Sequence, residues 1–181
     1  MYEDLAYIDQ ARTDIKAALP LFQKAYEGLK ACSGPDKKNT LMVQALMGGA
    51  MIRLGQAKEA VPMLEASMPA WRKAAGTSPD LFPPMYYLSC GYVEVGRYAD
   101  AEAMAGELVG LLEGKVAPNS RRIGVTHLVW ARALAGDHRY QEALPHAQIA
   151  DKLTEDGNTP YTRMVHGEAH QVLQDTQAKL H

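Results

Sequence analysis

Apolar and small residues recur at helical spacing through residues 41–68, on both sides of a short break in the pattern. Before the break, one helical face carries Leu41, Ala45, Gly48 and Ile52. After the break, one face carries Ala60, Leu64 and Ser67. Gly55, within the break, suits the positive φ that a chain often adopts just past a helix end. The pattern therefore predicts two helices that fold back on each other at Gly55, with Gly48 facing Ala60 where they cross.

The same pattern returns along the chain at intervals of 42, 41 and 42 residues. Each copy has an alanine early in its second helix, namely Ala18, Ala60, Ala101 and Ala143. Twelve residues before each alanine is a small residue: Ala6, Gly48, Ser89 and Ala131. A large apolar residue precedes each of these: Leu5, Met47, Leu88 and Trp130. Repetition at a fixed period indicates an array of similar helix pairs.

Gly- and Pro-rich connectors divide the array into repeats at about 1–33, 39–76, 80–115 and 119–156, within one domain covering 1–181. Turns with a central glycine, Gly96 and Gly136, join the helices of the last two repeats. The first repeat has Thr13-Asp14 at the turn, so residues 2–31 form either a helix pair or one long helix bent near Pro20.

A last helix is predicted over 160–179, with Thr159 as its N-cap and Pro160 at its first position. Five residues of this helix can form one apolar stripe: Met164, Val165, Ala169, Val172 and Leu173. Because a helical array needs an end that covers its last apolar face, we interpret this helix as a cap.

Three prolines each follow an aligned alanine by two residues: Pro20, Pro62 and Pro145. A proline beyond the first helical turn removes a hydrogen bond and bends the helix. Either these helices begin later than the alignment suggests, or each contains a bend. Pro69 can add a further kink to the second helix of its repeat.

Composition narrows the class of function. The formal net charge is −2 and no long basic run occurs, which argues against electrostatic binding of nucleic acid or a membrane. No apolar run approaches the ~20 residues of a membrane span, and the acidic start lacks a secretory signal pattern. Cys32 and Cys90 are too few for a disulfide framework, so we interpret them as small buried thiols in a reducing cytoplasm.

The aligned pairs of small residues and the turn sequences GQAKEA, GRYADA and GDHRYQEA resemble the tetratricopeptide repeat family. The resemblance covers residues 5–153, and the period is longer than the usual ~34 residues, as in a long-repeat variety. HEAT and armadillo repeats have a similar length, but the short glycine turn fits them less well. The resemblance implies an all-α, right-handed superhelix of about four antiparallel helix pairs plus the capping helix.

The resemblance also implies a non-catalytic protein–protein interaction scaffold, whose first helices line a concave groove for a partner peptide or helix. The groove residues expected from it are Met42, Ile52, Arg53, Tyr86, Glu94, Leu128 and Arg132, with Tyr7 and Gln10 at the edge. The family's carboxylate clamp is not expected, because its places hold Met42, Ala45, Gly49, Tyr86 and Cys90. Arg53 and Glu94 can alternatively pair with each other. Such arrays are typical modules of bacterial signalling or regulatory proteins, and the chain is compatible with being a fragment of one.

Two other kinds of site are compatible with the residues. A sensor that binds a small ligand or signalling peptide would use the region of Met85, Tyr86 and Tyr87. A metal-binding or enzymatic protein would use His166 and His170, which are one helical turn apart. This spacing can hold a metal, with Glu168 or His181 as a further ligand.

Surface histidines on a capping helix are the simpler interpretation, and Arg121-Arg122 is more simply a solvated pair than an anion site. His127, His138 and His146 fall at unrelated helix positions. We expect no cofactor, no catalytic residues, an unidentified protein partner, and a monomer or weak homodimer that associates through an incompletely covered end.

Overall fold

The computed structural model describes residues 14–155 and 158–180. Those residues form α-helices and no β-strand, so the predicted all-α class is confirmed. The helices are α1 (Ile15–Ser33), α2 (Lys38–Arg53), α3 (Ala57–Ala75), α4 (Phe82–Glu94), α5 (Tyr98–Leu112), α6 (Arg121–Gly136), α7 (Tyr140–Thr154) and α8 (Pro160–Ala178). A 3₁₀ turn, Pro79–Leu81, precedes α4. None of these helices is long and apolar enough to cross a membrane.

Predictions on residues 1–13 lie outside the described residues. They include the small residue of the first repeat, Ala6, and the groove-edge residues Tyr7 and Gln10. His181 lies outside them as well. From Ile15 onwards, the first repeat consists of the single helix α1, which continues through Pro20.

The chain divides into two compact units. In unit 1, Met1–Val95, helix α2 packs against α1, α3 and α4, and α3 also packs against α4. Its fully buried side chains include Leu41, Leu64, Trp71, Met85 and Leu88. In unit 2, Gly96–His181, helix α6 packs against α5, α7 and α8, and α7 packs against α8. Its core includes Leu108, Leu112, Val129, Leu134 and Ala147.

The predicted period is confirmed by where the second helices begin. Helices α1, α3, α5 and α7 start at Ile15, Ala57, Tyr98 and Tyr140, which are 42, 41 and 42 residues apart. The aligned alanine is the fourth residue of each helix, and all four alanines are buried. A methyl group at this position leaves space for a neighbouring helix to lie close, which explains why a small residue recurs there.

The prolines lie inside their helices. Pro20, Pro62 and Pro145 each occupy the sixth helical position, so the interpretation that these helices begin later is wrong. All three side chains are exposed, as is that of Pro69. A proline leaves the carbonyl four residues earlier without its helical donor. Because the prolines lie on exposed faces, water can donate a hydrogen bond to that carbonyl oxygen, and the helices tolerate the prolines.

Small residues do allow close helix packing, although the residue opposite Gly48 differs from the prediction. A Cβ at Gly48 would lie 2.7 Å from Cδ2 of Leu64, which is one turn beyond Ala60. In unit 2, a Cβ at Gly124 would lie 2.9 Å from Cβ of Leu153 and 3.2 Å from its backbone carbonyl carbon. At Gly124 the backbone of the second helix itself lies close, whereas at Gly48 the side chain of Leu64 fills the space.

The turns use glycine in two different ways. Gly55 and Gly96 have φ values of 79° and 76°, which confirms their predicted role just past a helix end. Gly136 instead remains helical as the last residue of α6, and the ring of Tyr98 occupies the space that a side chain would need. The left-handed conformation falls two residues later, on His138, with φ of 61°. Packing of Tyr98 therefore explains this glycine, and the turn places strain on a histidine.

The prediction that both cysteines are buried is wrong. Cys32 is exposed and Cys90 is partly exposed. The Cys32 thiol donates a hydrogen bond to the carbonyl oxygen of Gly28 at 2.7 Å. Within the described residues α1 packs mainly against α2, which leaves the face of α1 that carries Cys32 open to solvent.

The last helix starts as predicted. The Thr159 side chain accepts a hydrogen bond from the Thr162 backbone, the Thr162 side chain reciprocates, and Pro160 is the first helical residue. Its buried residues are Val165, Ala169 and Thr176. Met164 is 43% exposed, so its predicted place in the apolar stripe is wrong. Successive residues of a helix point about 100° apart, so Met164 points away from the buried face that carries Val165.

We predict that Gly124→Ala lowers the free energy of unfolding by about 1–3 kcal/mol, because the new methyl group would meet the backbone of Leu153. Gly110→Ala is the matched control, since a Cβ there meets nothing within 4 Å. It should raise stability by about 0.5–1 kcal/mol through helix propensity. Urea denaturation followed by circular dichroism measures both changes, and equal effects of the two substitutions would contradict the close approach of α6 and α7.

We predict that His138→Gly raises the free energy of unfolding by up to about 1 kcal/mol, because relief of the left-handed strain on histidine, roughly 1–2 kcal/mol, outweighs the greater freedom that glycine gives the unfolded chain, roughly 0.5–1 kcal/mol. Asp137→Gly is the control, because Asp137 has an ordinary φ of −86°. Asp137→Gly should lower the free energy of unfolding by about 0.5–1 kcal/mol, because glycine gives the unfolded chain greater freedom. Thermal and urea unfolding distinguish the two, and a loss of stability in both variants would contradict the strained turn.

Candidate interaction surface

Helices α2 and α4 are the first helices of the second and third repeats. They pack directly on each other because glycines leave room between them. A Cβ at Gly49 of α2 would lie 2.5 Å from the ring of Tyr87. A Cβ at Gly91 of α4 would lie 2.7 Å from Val61 and 3.1 Å from Ile52. The contacts run in the same order along both helices, so α2 and α4 are parallel neighbours whose remaining faces form one surface.

An aromatic face, formed by Phe82, Tyr86 and Tyr87, lies on α4. The rings of Phe82 and Tyr86 are stacked, with centroids 5.5 Å apart and planes 8° apart. The rings of Tyr86 and Tyr87 are tilted by 54° at 5.6 Å. Phe82 is buried, whereas both tyrosines are partly exposed. The buried ring and the contact of Tyr87 with Gly49 therefore hold Tyr86 in place while leaving part of it accessible.

Charged residues lie at one end of this surface. Arg53 is the last residue of α2 and Glu94 is the last residue of α4, and both are exposed. Met42, near the other end of α2, is partly exposed. An arginine in the last turn of a helix is favoured by the helix dipole, whereas a glutamate there is not. Glu94 is therefore placed against the local helix preference, about two turns beyond Tyr87 along α4.

Two of the predicted groove residues lie in the core. Ile52 is 7% exposed and packs towards Gly91, and Leu128 in unit 2 is 2% exposed. Neither side chain is available to a partner, because neighbouring helices cover it. Met85, which we considered for a ligand pocket, is fully buried as well. The accessible residues of the prediction in unit 1 are thus Met42, Arg53, Tyr86 and Glu94.

Arg132, the remaining predicted residue of unit 2, takes part in an ion pair. Its guanidinium group lies 3.0 Å from the carboxylate of Glu168 on α8. The side chain is one-quarter exposed. Its charge is therefore matched within the unit, which reduces what it can offer to an acidic partner.

The histidines of α8 face an acidic residue of α7. Nδ1 of His170 lies 3.1 Å from the Asp151 carboxylate, and Nδ1 of His166 lies 3.8 Å from the same oxygen. Nε2 of His170 contacts Gln174 at 3.0 Å. In the described part of the chain, no group of three or more His, Cys, Asp or Glu side chains is placed to hold a metal ion. This arrangement favours the interpretation of the two histidines as surface residues.

Arg121 has a structural role at the junction of α6 and α7. Its guanidinium group donates to the carbonyl oxygen of Thr154, the last residue of α7, at 3.0 Å. A cation is favoured at the carboxyl end of a helix, where carbonyl groups lack helical donors. Packing against α7 therefore compensates for the unfavourable position of Arg121 at the start of its own helix.

The prediction that His127 and His146 occupy unrelated positions is wrong. Their Nδ1 atoms are 2.7 Å apart, and the ring of Trp130 stacks on His146 with centroids 4.1 Å apart. Burial lowers the pKa of His127 to about 4, reinforced by the charge of His146. Burial also lowers the pKa of His146, while Glu102 opposes that shift. Both imidazoles therefore resist protonation together.

A signal for this cluster was present in the repeat register. His146 follows the aligned alanine by three residues, where the other repeats have Leu21, Met63 and Met104. Trp130 stands where the other copies have a large apolar residue, and His127 precedes it by one helical turn. In this register His146 replaces a large apolar residue of the other copies, whereas the position of His127 holds Gln44 in the second repeat and Met85 in the third. The register therefore marks His146 as unusual and does not by itself pair it with His127.

Comparison with known proteins agrees with this fold. The tetratricopeptide repeat family matches residues 1–73. No curated protein sequence matches the chain. Similar solved structures include the nearly identical TPR-like repeats of a Podosopora anserina protein described as a kinesin light chain, and a variant of the same repeats.

Both structures have a TM-score of 0.69 and 16% identity, and they align over 97% of this chain. The alignment covers 88% of the variant chain and 89% of the other. At this identity the likeness concerns the fold. The chain therefore carries the tetratricopeptide repeat sequence signature in residues 1–73 and has the fold of TPR-like repeats.

Proposed function

We propose that this chain is a non-catalytic interaction scaffold that binds a partner peptide or helix on the α2–α4 surface of unit 1. Tetratricopeptide repeats generally mediate protein–protein interaction, which supports the class of function. The observation that carries the choice of surface is the aromatic face, where a partly exposed tyrosine is stacked on a buried phenylalanine.

The aromatic face has the properties of a binding hot spot. Tyrosine and arginine are enriched among residues that dominate binding free energy. The stack fixes the orientation of Tyr86 before a partner arrives, so binding loses little side-chain entropy. A partner residue with an apolar or aromatic side chain can cover the exposed part of the ring and gain contact area.

Arg53 and Glu94 would set the orientation of the partner. They carry opposite charges at the same end of the surface, so a partner with a matching pair of charges is favoured in one direction. Exposed ion pairs contribute little free energy and are screened by salt. We therefore assign most of the affinity to Tyr86 and Met42, and the direction of binding to the two charged residues.

The proposal also includes the setting of the protein. We propose a cytoplasmic module of a bacterial signalling or regulatory protein, monomeric or weakly dimeric. The near-neutral net charge of −2 supports a protein partner over nucleic acid or an anionic membrane. The proposed binding surface leaves out Arg132 and Leu128, because both belong to unit 2 and Leu128 is buried.

We predict that peptides selected on the purified chain from a random display library bind Tyr86→Ala at least about tenfold more weakly than wild type, since a central aromatic contact is lost. Tyr140→Ala is the matched control, because Tyr140 is likewise a partly exposed helical tyrosine but belongs to unit 2. It should bind the same peptides as wild type does. Calorimetric titration measures the affinities, and circular dichroism verifies that both variants remain folded.

Chemical shift changes on peptide binding should concentrate in α2 and α4. Arg53→Gln should weaken binding less than Tyr86→Ala and should reduce its dependence on salt. Equal binding by wild type and Tyr86→Ala would contradict this surface. A library that yields no selective peptide would contradict the proposed class of partner.

A further inference from the structure

Two imidazole rings meet between the helices of one pair in unit 2. Nδ1 of His127 on α6 lies 2.7 Å from Nδ1 of His146 on α7. At this distance one nitrogen must donate a hydrogen and the other must accept it. The contact can therefore exist while at least one ring is neutral, and it cannot exist when both rings are cations.

We propose that the His127–His146 pair is an acid-sensitive contact that holds α6 against α7 and opens when both rings are protonated. The first added proton can be accommodated on the outer nitrogen of the donating ring, so the hydrogen bond persists. The second must occupy the accepting Nδ1, which places two N–H groups and two positive charges against each other. The pair therefore titrates in two steps, and the second step breaks the contact.

The surroundings of the pair disfavour the second proton. The ring of Trp130, one turn after His127 on α6, stacks on His146, and the two histidine rings are also stacked with centroids 5.0 Å apart. The Trp130 Nε1 atom is buried and has no hydrogen-bond partner among the described residues. The indole therefore provides an apolar wall and no polar group that could accept the displaced hydrogen.

Charged groups act on the pair from α5 and from the start of α7. From α5, Glu102 acts on His146 and is held by Arg139, which precedes α7, at 2.6 Å. Arg139 also binds Glu142 on α7 at 2.7 Å. Glu102 favours the first proton on His146, while the positive charge of that ring disfavours a proton on His127.

The histidines and carboxylates of α8 have other contacts. His166 and His170 face Asp151, Glu168 pairs with Arg132, and Asp175 accepts a hydrogen bond from Gln171. The described contacts of α8 therefore offer no carboxylate to a protonated His127. The pair depends on the groups of α5, α6 and α7.

The direction of the pH effect on stability follows from the lowered pKa values of the two histidines. The pKa of His127 falls from its usual 6.5 to about 4 in the folded chain, and that of His146 is also lowered. Between about pH 4 and pH 6.5 the unfolded chain binds more protons than the folded chain. The contribution of the pair to stability is therefore complete above about pH 6.5, and it is lost progressively as the pH falls towards 4.

We predict that the unfolding equilibrium constant of the full chain rises about tenfold or more between about pH 7 and pH 5, beyond the change in variants that lack the pair. His127→Gln and His146→Gln each remove one titrating ring and should flatten this dependence. His138→Gln is the control, because His138 is exposed and outside the pair, and it should retain the wild-type dependence. Urea denaturation at each pH measures the constants.

A nuclear magnetic resonance titration of the histidine side chains tests the pair in the folded protein, independently of variant stability. We expect His127 and His146 to titrate below the usual histidine pKa of about 6.5. Titration of both His127 and His146 near the usual pKa of about 6.5, or the same pH dependence of unfolding in wild type and both glutamine variants, would overturn the proposal.

Hydrogen exchange locates the opening. After correction for intrinsic rates, lowering the pH from about 7 to about 5 should reduce protection in α6 and α7 more than in α2 and α3 of unit 1. An equal loss of protection in both units would show a general acid effect and would overturn a contact specific to the histidine pair.

Discussion

The close approach of neighbouring helices at small residues is the constraint on which the rest of the structure depends. An alanine is the fourth residue of α1, α3, α5 and α7, and each is buried. At Gly48 and Gly124 a neighbouring side chain already occupies the space that a Cβ would need. Large residues such as Leu64 and Trp71 can then fill the core on either side, because the backbones come close enough to enclose them.

This constraint explains how much of the fold could be predicted. A local spacing of small and large residues repeats in sequence, so the period, the turns at Gly55 and Gly96, and the start of α8 were all visible. The packing role of Gly136 could not be predicted, because it depends on the ring of Tyr98, which is distant in sequence. The exposure of Cys32 was missed for a related reason, since residue type does not reveal how many helices surround α1.

The candidate site was predicted less completely than the fold. Helical spacing indicates which residues share a face, but each inner helix is covered by several neighbours, and spacing does not say which face they cover. Ile52 and Leu128 were therefore assigned to an open surface although both are buried. Tyr86 remains accessible because its neighbour in sequence, Tyr87, is the ring that packs over Gly49. The histidine pair escaped notice because its members come from two helices.

The prolines at the sixth position have a consequence for how the helices assemble. In an isolated peptide a proline is tolerated best at the first helical position, so a free segment would tend to begin its helix at Pro20, Pro62 or Pro145. In the folded chain each helix starts five residues earlier and includes the buried alanine. The opening turn of these helices therefore owes its helical form to docking on a neighbour, and it should become ordered as the pair closes rather than before.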